Sequence, residues 1–408
     1  MKQFTVPGIY RSQLISAIKN KRRSEDKLKK DFAPTLLDFG GVQIFLARHF
    51  GFCYGVENAI EIAFRTIEEN PGRRIFLLSE MIHNPQVNAD LQSKGVRFLQ
   101  DTNGRELVPF DDLTGEDIVL IPAFGTTLDI ERILTGKGIH IERYNTTCPF
   151  VEKVWHRGEQ IARKGYSIVV HGKSWHEETR ATFSHASSYT PTVVVNNMDE
   201  TLALARYITG ESPAAQFYEE FSGRYSEGFN VEKDLQRIGV VNQTTQLATD
   251  TQAISDYLKN VIRGHYQLSN ATIGQRFADT RDTLCYATND NQAAVNALLE
   301  IPADLAIVIG GANSSNTSHL VELCERKLPT YFIDSPDKIL GRHEILNCNW
   351  RTKEISRLSP FLPDTPPVRI LITSGASCPD AIVEAVISRV LDTYGLPPGM
   401  EPMMEQFL

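Results

Sequence analysis

The sequence predicts an α/β protein built from three pseudo-threefold-related units with mainly parallel sheets. Three observations carry that prediction. The apolar runs Ile75 to Leu78, Ile118-Val119-Leu120-Ile121, Ser167-Ile168-Val169-Val170 and Ala306-Ile307-Val308-Ile309 are continuous, as parallel strands covered on both faces require. Apolar residues at helical spacing lie between the runs, as in Ala59-Ile60, Ile62-Ala63 and Ile67. A segment led by a cysteine then recurs three times at one spacing.

Residues 1–42 read as an N-terminal extension. Its basic stretch, Lys19 to Lys30, contains Glu25 and Asp26 and reads as a solvated helix. The extension lacks the apolar h-region of a signal peptide and is too acidic for a transit peptide.

The first unit, 43–146, opens a helical segment at Cys53. Its strand ends in Ser79-Glu80-Met81-Ile82-His83-Asn84, and a later strand ends in Pro122-Ala123-Phe124-Gly125-Thr126-Thr127. The second unit, 147–283, opens at Cys148, with Pro149 placed for a first helical turn. Its strand runs into His171-Gly172-Lys173-Ser174-Trp175-His176-Glu177-Glu178, and its later strand ends in Val241-Asn242-Gln243-Thr244-Thr245. This unit carries a polar segment, 211–234, that reads as a surface insertion. The third unit, 284–394, opens at Cys285, reaches Gly310-Gly311-Ala312-Asn313-Ser314-Ser315-Asn316 and ends in Thr373-Ser374-Gly375-Ala376-Ser377. Residues 395–408 form a tail. The spacings agree: 30 residues from Cys53 to His83, 28 from Cys148 to His176 and 29 from Cys285 to Ser314.

Composition narrows the function. The formal net charge of -8 over 408 residues argues against nucleic acid or an anionic membrane as partner. No run approaches the roughly 20 apolar residues of a membrane helix, so a cytoplasmic protein is expected. Six cysteines without any Cys-x-x-Cys pair fit neither a disulfide scaffold nor a zinc ribbon. Gly-x-x-x-x-Gly-Lys-Ser/Thr and dinucleotide fingerprints are absent too.

Ligands of open α/β sheets bind beyond the carboxyl ends of the strands. Each unit places one cysteine and two polar turns there, and pseudo-threefold packing would bring the cysteines to one point. Three thiolates at one point suggest a cluster or metal with an unfilled position. A [4Fe–4S] cluster is usually held by four cysteines, so three leave one iron open as a Lewis acid. Helix starts favour the thiolate. Taken one at a time, the plainer reading is three core cysteines. Cys324 and Cys348 fall outside the pattern, and Cys378 lies beside a candidate turn. Asn313-Ser314-Ser315-Asn316 offers hydroxyls, amides and N–H groups for an anion, or alternatively a capped polar loop. His83 and His176 could add donors to a diphosphate. Glu178 is the proton-donor candidate, with adjacent Glu177 leaving the choice open.

In order, Gly51-Phe52-Cys53-Tyr54-Gly55-Val56, Ile82-His83-Asn84, Thr147-Cys148-Pro149, His176-Glu177-Glu178-Thr179, Gln243-Thr244-Thr245, Cys285-Tyr286-Ala287-Thr288, Asn313-Ser314-Ser315-Asn316 and Gly375-Ala376-Ser377 resemble the LytB family of 4-hydroxy-3-methylbut-2-enyl diphosphate reductases over roughly residues 43–390. The resemblance implies a trefoil of α/β units around a central [4Fe–4S] cluster held by Cys53, Cys148 and Cys285. It implies that His83, His176, Ser314, Ser315, Asn316 and Ser377 hold the diphosphate. Glu178 would supply protons and Thr244 would position the hydroxyl or its water. Two electrons, from a ferredoxin or flavodoxin, and a proton would cleave the C–O bond. Phe124 departs from the His that many bacterial members carry, and resembles the Ala-Phe-Gly turn of the plant and cyanobacterial branch. Two rivals stay open: a quinolinate synthase-like enzyme with a three-cysteine cluster, and a non-catalytic iron–sulfur sensor or binding protein.

Overall fold

The four apolar runs form strands, and so does each later segment expected to precede a small-residue turn. The computed structural model describes residues 4–28, 30–278, 283–396 and 401–407. The first residues of the predicted extension, the stretch 279–282 ahead of the third unit and part of the predicted tail lie outside the described residues.

Thirteen strands are present among the described residues. They are β1 (Thr35–Asp38), β2 (Val42–Leu46), β3 (Ile75–Leu77), β4 (Arg97–Phe98), β5 (Ile118–Leu120), β6 (Ser167–His171), β7 (Thr192–Val195), β8 (Ile238–Asn242), β9 (Leu305–Ile309), β10 (Thr330–Ile333), β11 (Ile345–Cys348), β12 (Ile355–Leu358) and β13 (Val368–Ser374). The chain divides into two compact units. One comprises Met1–Glu61, Ile82–Leu91 and Tyr286–Leu408, the other Ile62–Met81 and Gln92–Cys285.

The second unit holds two three-stranded parallel sheets, ordered β4-β3-β5 and β7-β6-β8. A single parallel bridge extends each: Ile121 to Asn145 beyond β5, and Ile238 to Phe277 beyond β8. In the first unit the order is β10-β9-β13-β2, also parallel, with β1 added antiparallel at the edge. The wiring is therefore the same three times. The strand entered first is central, the next lies outside it, the third lies on its other side, and a fourth stretch borders the third. In the first unit that fourth stretch is β2, which precedes all the others in the chain. Each candidate cysteine follows a fourth stretch: Cys53 after β2, Cys148 after Asn145, and Cys285 after Phe277.

Every residue of β6, β8 and β9 is buried, which explains why these strands read as unbroken apolar runs. Their sheets are covered by amphipathic helices. Among these is Pro149–Ala162, whose Cys148 cap and N1 proline match the expected start.

The 211–234 segment is not the plain surface insertion the polar composition predicted. Phe217, Phe221, Phe229 and Val231 are buried in one core with Val193, Val195, Leu204, Leu258 and Ile262. Phe217 stacks between Phe221 at 4.9 Å and Phe229 at 5.3 Å. Glutamates and glycines between these anchors supply the polar count that hid them. The basic stretch also departs in part from the solvated helix expected. The helix Gln13–Glu25 buries Leu14, Ile15, Ala17 and Ile18, and Lys19 is paired with Asp380 at 2.7 Å. Arg23 and Lys27 are exposed as expected.

Replacing Phe217 with Ala removes a fully buried ring from a stacked cluster. The expected cost is about 3–5 kcal/mol, against near-neutrality for a surface insertion, and urea unfolding measures it.

Candidate active site

The geometry starts from one backbone bond made three times. Cys53 N–H donates to the Ala376 carbonyl at 3.1 Å, Cys148 N–H to Ala123 at 2.9 Å, and Cys285 N–H to Thr244 at 3.2 Å. Each acceptor sits in the small-residue turn after the third strand of its sheet. Each cysteine is thus pinned where that strand ends, and a helix begins immediately after it: Tyr54–Glu69, Pro149–Ala162 and Tyr286–Leu298.

In the first unit, five of the predicted anion-binding residues come together around the Cys53 turn. Ser377 Oγ donates to the His83 carbonyl at 3.1 Å. Gly311 lies against the same carbonyl, and a Cβ there would approach it to 2.3 Å, so only glycine fits. Ser314 caps the helix Ser315–Glu325, accepting from Thr317 N at 3.2 Å and Thr317 Oγ1 at 2.9 Å. The cap reading was therefore correct for Ser314, whose own hydroxyl proton remains available to a ligand. Ser315 and Asn316 follow at the helix start and are buried. Asn316 Oδ1 accepts from Ala376 N at 3.0 Å and from Asn291 Nδ2 at 3.4 Å. Its buried Nδ2 has no acceptor among the described residues, an arrangement that suits a bound anion oxygen.

The second unit shows the same relay with a carboxylate. Glu178 is 2% exposed, a buried carboxylate rather than a solvated one. Its Oε1 accepts from Thr244 N at 2.5 Å and its Oε2 from Thr244 Oγ1 at 3.0 Å. Thr244 in turn takes the Cys285 N–H. Glu178 stands to Thr244 and Cys285 as Asn316 stands to Ala376 and Cys53. Glu177 is separated from this chain of bonds, because its carboxylate accepts from Ser79 Oγ. His176 caps the helix Glu177–Ser187, its Nδ1 accepting from Glu178 N at 3.1 Å, which places the ring proton on Nε2. Phe124 meets the His176 ring edge to face, with centroids 5.7 Å apart. It contributes ring packing where a histidine would contribute a donor.

Three supporting residues were not singled out from the sequence. Gln243 Oε1 accepts from Lys173 N at 3.2 Å, Thr179 Oγ1 at 3.1 Å and Gln246 Nε2 at 3.0 Å, fixing the turn that carries Thr244. Thr179 and Thr317 lie against Gly172 and Gly310 at equivalent places. Both come three residues after their helix caps, His176 and Ser314, so the offset of the repeat could have found them.

The donor set fits an iron–sulfur group. Burial pushes the Cys53 thiol up, opposed in part by the N–H groups of Val56 and Gly55 directed at its Sγ. Cys53, Cys148 and Cys285 are half-buried and open helices. Cys324 is fully buried and its thiol is pushed up to about 12 by burial; Cys378 is buried and raised likewise. Cys348 ends a hairpin strand, away from any helix start. Among the described residues no three His, Cys, Asp or Glu side chains are grouped as ligands of a single metal ion. Cluster thiolates each bind a different iron and need not form such a group.

The LytB protein family matches residues 44–391. The 4-hydroxy-3-methylbut-2-enyl diphosphate reductase of Synechococcus sp. (strain RCC307) is 39% identical over 383 residues, spanning 94% of this chain and 88% of that protein. The reductase of Gloeobacter violaceus (strain ATCC 29082 / PCC 7421) is 36% identical over 389 residues, spanning 92% of this chain and 91% of that one. In fold, the chain resembles the structure of the E-1-hydroxy-2-methyl-but-2-enyl-4-diphosphate reductase from Plasmodium falciparum, with TM-score 0.61, 21% identity and coverage of 85% and 87%.

A Cβ at Gly375 would sit 1.9 Å from Thr317 Oγ1. Gly375→Ala is expected to cost about 1–3 kcal/mol. Paired with Thr317→Ala, the two costs should be non-additive in a thermal-unfolding double-mutant cycle.

Proposed function

Because the chain belongs to the LytB family, we propose that it reduces 4-hydroxy-3-methylbut-2-enyl diphosphate to isopentenyl and dimethylallyl diphosphates, the closing reaction of the non-mevalonate pathway. The observation that carries this reading is the span of the match, residues 44–391, which contains all three helix-opening cysteines and both polar relays. Overall, the hydroxyl leaves as water with two electrons and one proton, and a second proton goes to carbon.

Cys53, Cys148 and Cys285 would hold a [4Fe–4S] cluster at the centre of a trefoil of the three sheets. When bound, that group supplies electrons and one iron that the protein does not ligate. The chain's own residues do the rest. Ser315 and Asn316 present helix-start N–H groups, and Asn316 Nδ2 and the Ser314 hydroxyl donate to the diphosphate. Ser377 exchanges its bond to the His83 carbonyl for a phosphate oxygen. His83 and His176 add ring donors, His176 through Nε2. Glu178 is the proton source. Its bond to Thr244 Oγ1 gives a path through that hydroxyl to the departing oxygen, and Thr244 orients that oxygen or the water it becomes. Electrons come from a ferredoxin or flavodoxin. Among the described residues no helix is long and apolar enough to cross a membrane. A cytoplasmic setting keeps free thiols reduced.

The test is anaerobic turnover of the hydroxylated diphosphate with reduced methyl viologen by cluster-reconstituted protein. Formation of both five-carbon diphosphates is expected, and an intact cluster with no turnover would return the reading to the synthase-like enzyme or the sensor. Glu178→Gln should lower kcat by about 10²-fold or more while keeping the cluster. Glu177→Gln, whose carboxylate is committed to Ser79, should lower it by less than about tenfold.

A further inference from the structure

The residues around Cys53, 48–54, are covered almost position by position by the N-terminal extension, which lies outside the span 44–391 of the family match. Arg48 Nη2 donates to the Arg22 carbonyl at 3.3 Å and lies 3.8 Å from Asp26. Phe32 meets His49 edge to face at 5.5 Å. Lys19 Nζ sits 4.7 Å over the Phe50 ring while bonding Asp380. Tyr10 packs on Phe52 at 5.9 Å and Phe4 on Tyr54 at 4.8 Å, both edge to face. Tyr10 is itself held by its hydroxyl, which donates to Asp90 at 2.7 Å. Gly51 closes the series, with no room for a Cβ between Asp380 Oδ1 at 2.4 Å and Lys19 Nζ at 2.8 Å.

Cys53 lies between two aromatic residues that are each clasped by an aromatic residue of the extension. Phe4, Tyr10, Leu14 and Ile15 are buried, so the clasp is part of a packed surface rather than a loose arm. Ring pairs of this kind contribute about 0.5–1.5 kcal/mol each beyond their buried area. Their location determines what they stabilise: they hold the loop that presents the first cysteine.

We propose that residues 4–28 and 30–32 are a clamp whose aromatic and lysine contacts position Cys53 as a cluster ligand and restrict local opening of its loop. Phe4, Tyr10 and Lys19 are positioning residues. The proposal rests on the cluster reading for its purpose, but not for its test.

In the full-length, cluster-free protein, the iodoacetamide alkylation rate of each cysteine is measured by peptide mass spectrometry for wild type and for Phe4→Ala/Tyr10→Leu. Cys53 should react about tenfold faster in the variant, with Cys148 and Cys285 within about twofold of wild type. Tyr10→Phe, which keeps the ring, should remain within about twofold at all three. Unchanged Cys53 reactivity, or a parallel rise at all three cysteines, overturns the clamp. If the double variant does not fold, Lys19→Met decides: a selective rise at Cys53 supports the clamp and no rise overturns it. In reconstituted protein the same variants should lose visible cluster absorbance faster in air. Wild type that takes up no cluster would instead defeat the cluster reading, leaving the alkylation result to stand or fall separately.

Discussion

The bond from a cysteine N–H to the carbonyl of a distant turn is the constraint on which the rest of the structure depends. It joins residues 53 and 376, 148 and 123, and 285 and 244. Each instance fixes a helix start against the end of a third strand, at the carboxyl ends of the strands where α/β proteins bind ligands. A buried backbone N–H needs an acceptor, and the turn provides it without using any side chain. Side chains at the turn are therefore left for other work. Small residues at Gly375, Ala376 and Ala123 let the two backbones approach, and Thr244 adds a hydroxyl without filling the space.

Two of the three turns carry a further link. Ala376 N–H goes to Asn316, and Thr244 N–H goes to Glu178. The same frame thus ends in an amide near one cysteine and an acid near another. The amide keeps a buried Nδ2 with no acceptor among the described residues, while the acid is buried and accepts two hydrogen bonds from Thr244. The third turn lacks this link. Ala123 N–H goes to the backbone of Met81 instead. One frame repeated three times therefore yields three chemically different corners, a division of labour produced by single residues at one offset.

Much of this was legible in the sequence, for physical reasons that can be named. Strands buried on both faces read as unbroken apolar runs, so β5, β6 and β9 were found within a residue of their ends. The shared offset from cysteine to polar turn was legible because each cysteine is followed by one helix, of 13 to 16 residues, and then one short strand. What was hidden depended on long-range pairing. Nothing in Val42–Leu46 announces that it pairs with Val368–Ser374, more than 300 positions away. Glu177 and Glu178 are indistinguishable by neighbourhood, and only the turn of the helix sends one to Ser79 and the other to Thr244. Averaged polarity masked the anchors of the 211–234 segment, since Glu219, Glu220, Ser222, Gly223, Glu227 and Gly228 lie between Phe217, Phe221 and Phe229. The motifs that carry the family resemblance were legible because their residue types are set by chemistry at the site.

Three helix-opening cysteines, and no others, are proposed to hold one cluster. Iron and acid-labile sulfide are measured per chain after anaerobic reconstitution of wild type and of the six single Cys→Ser variants. About four irons per chain are expected in wild type and at Cys324→Ser, Cys348→Ser and Cys378→Ser, with marked loss at Cys53→Ser, Cys148→Ser and Cys285→Ser. Full iron content in any of the last three, or its loss from one of the other three with the fold intact, would contradict the account.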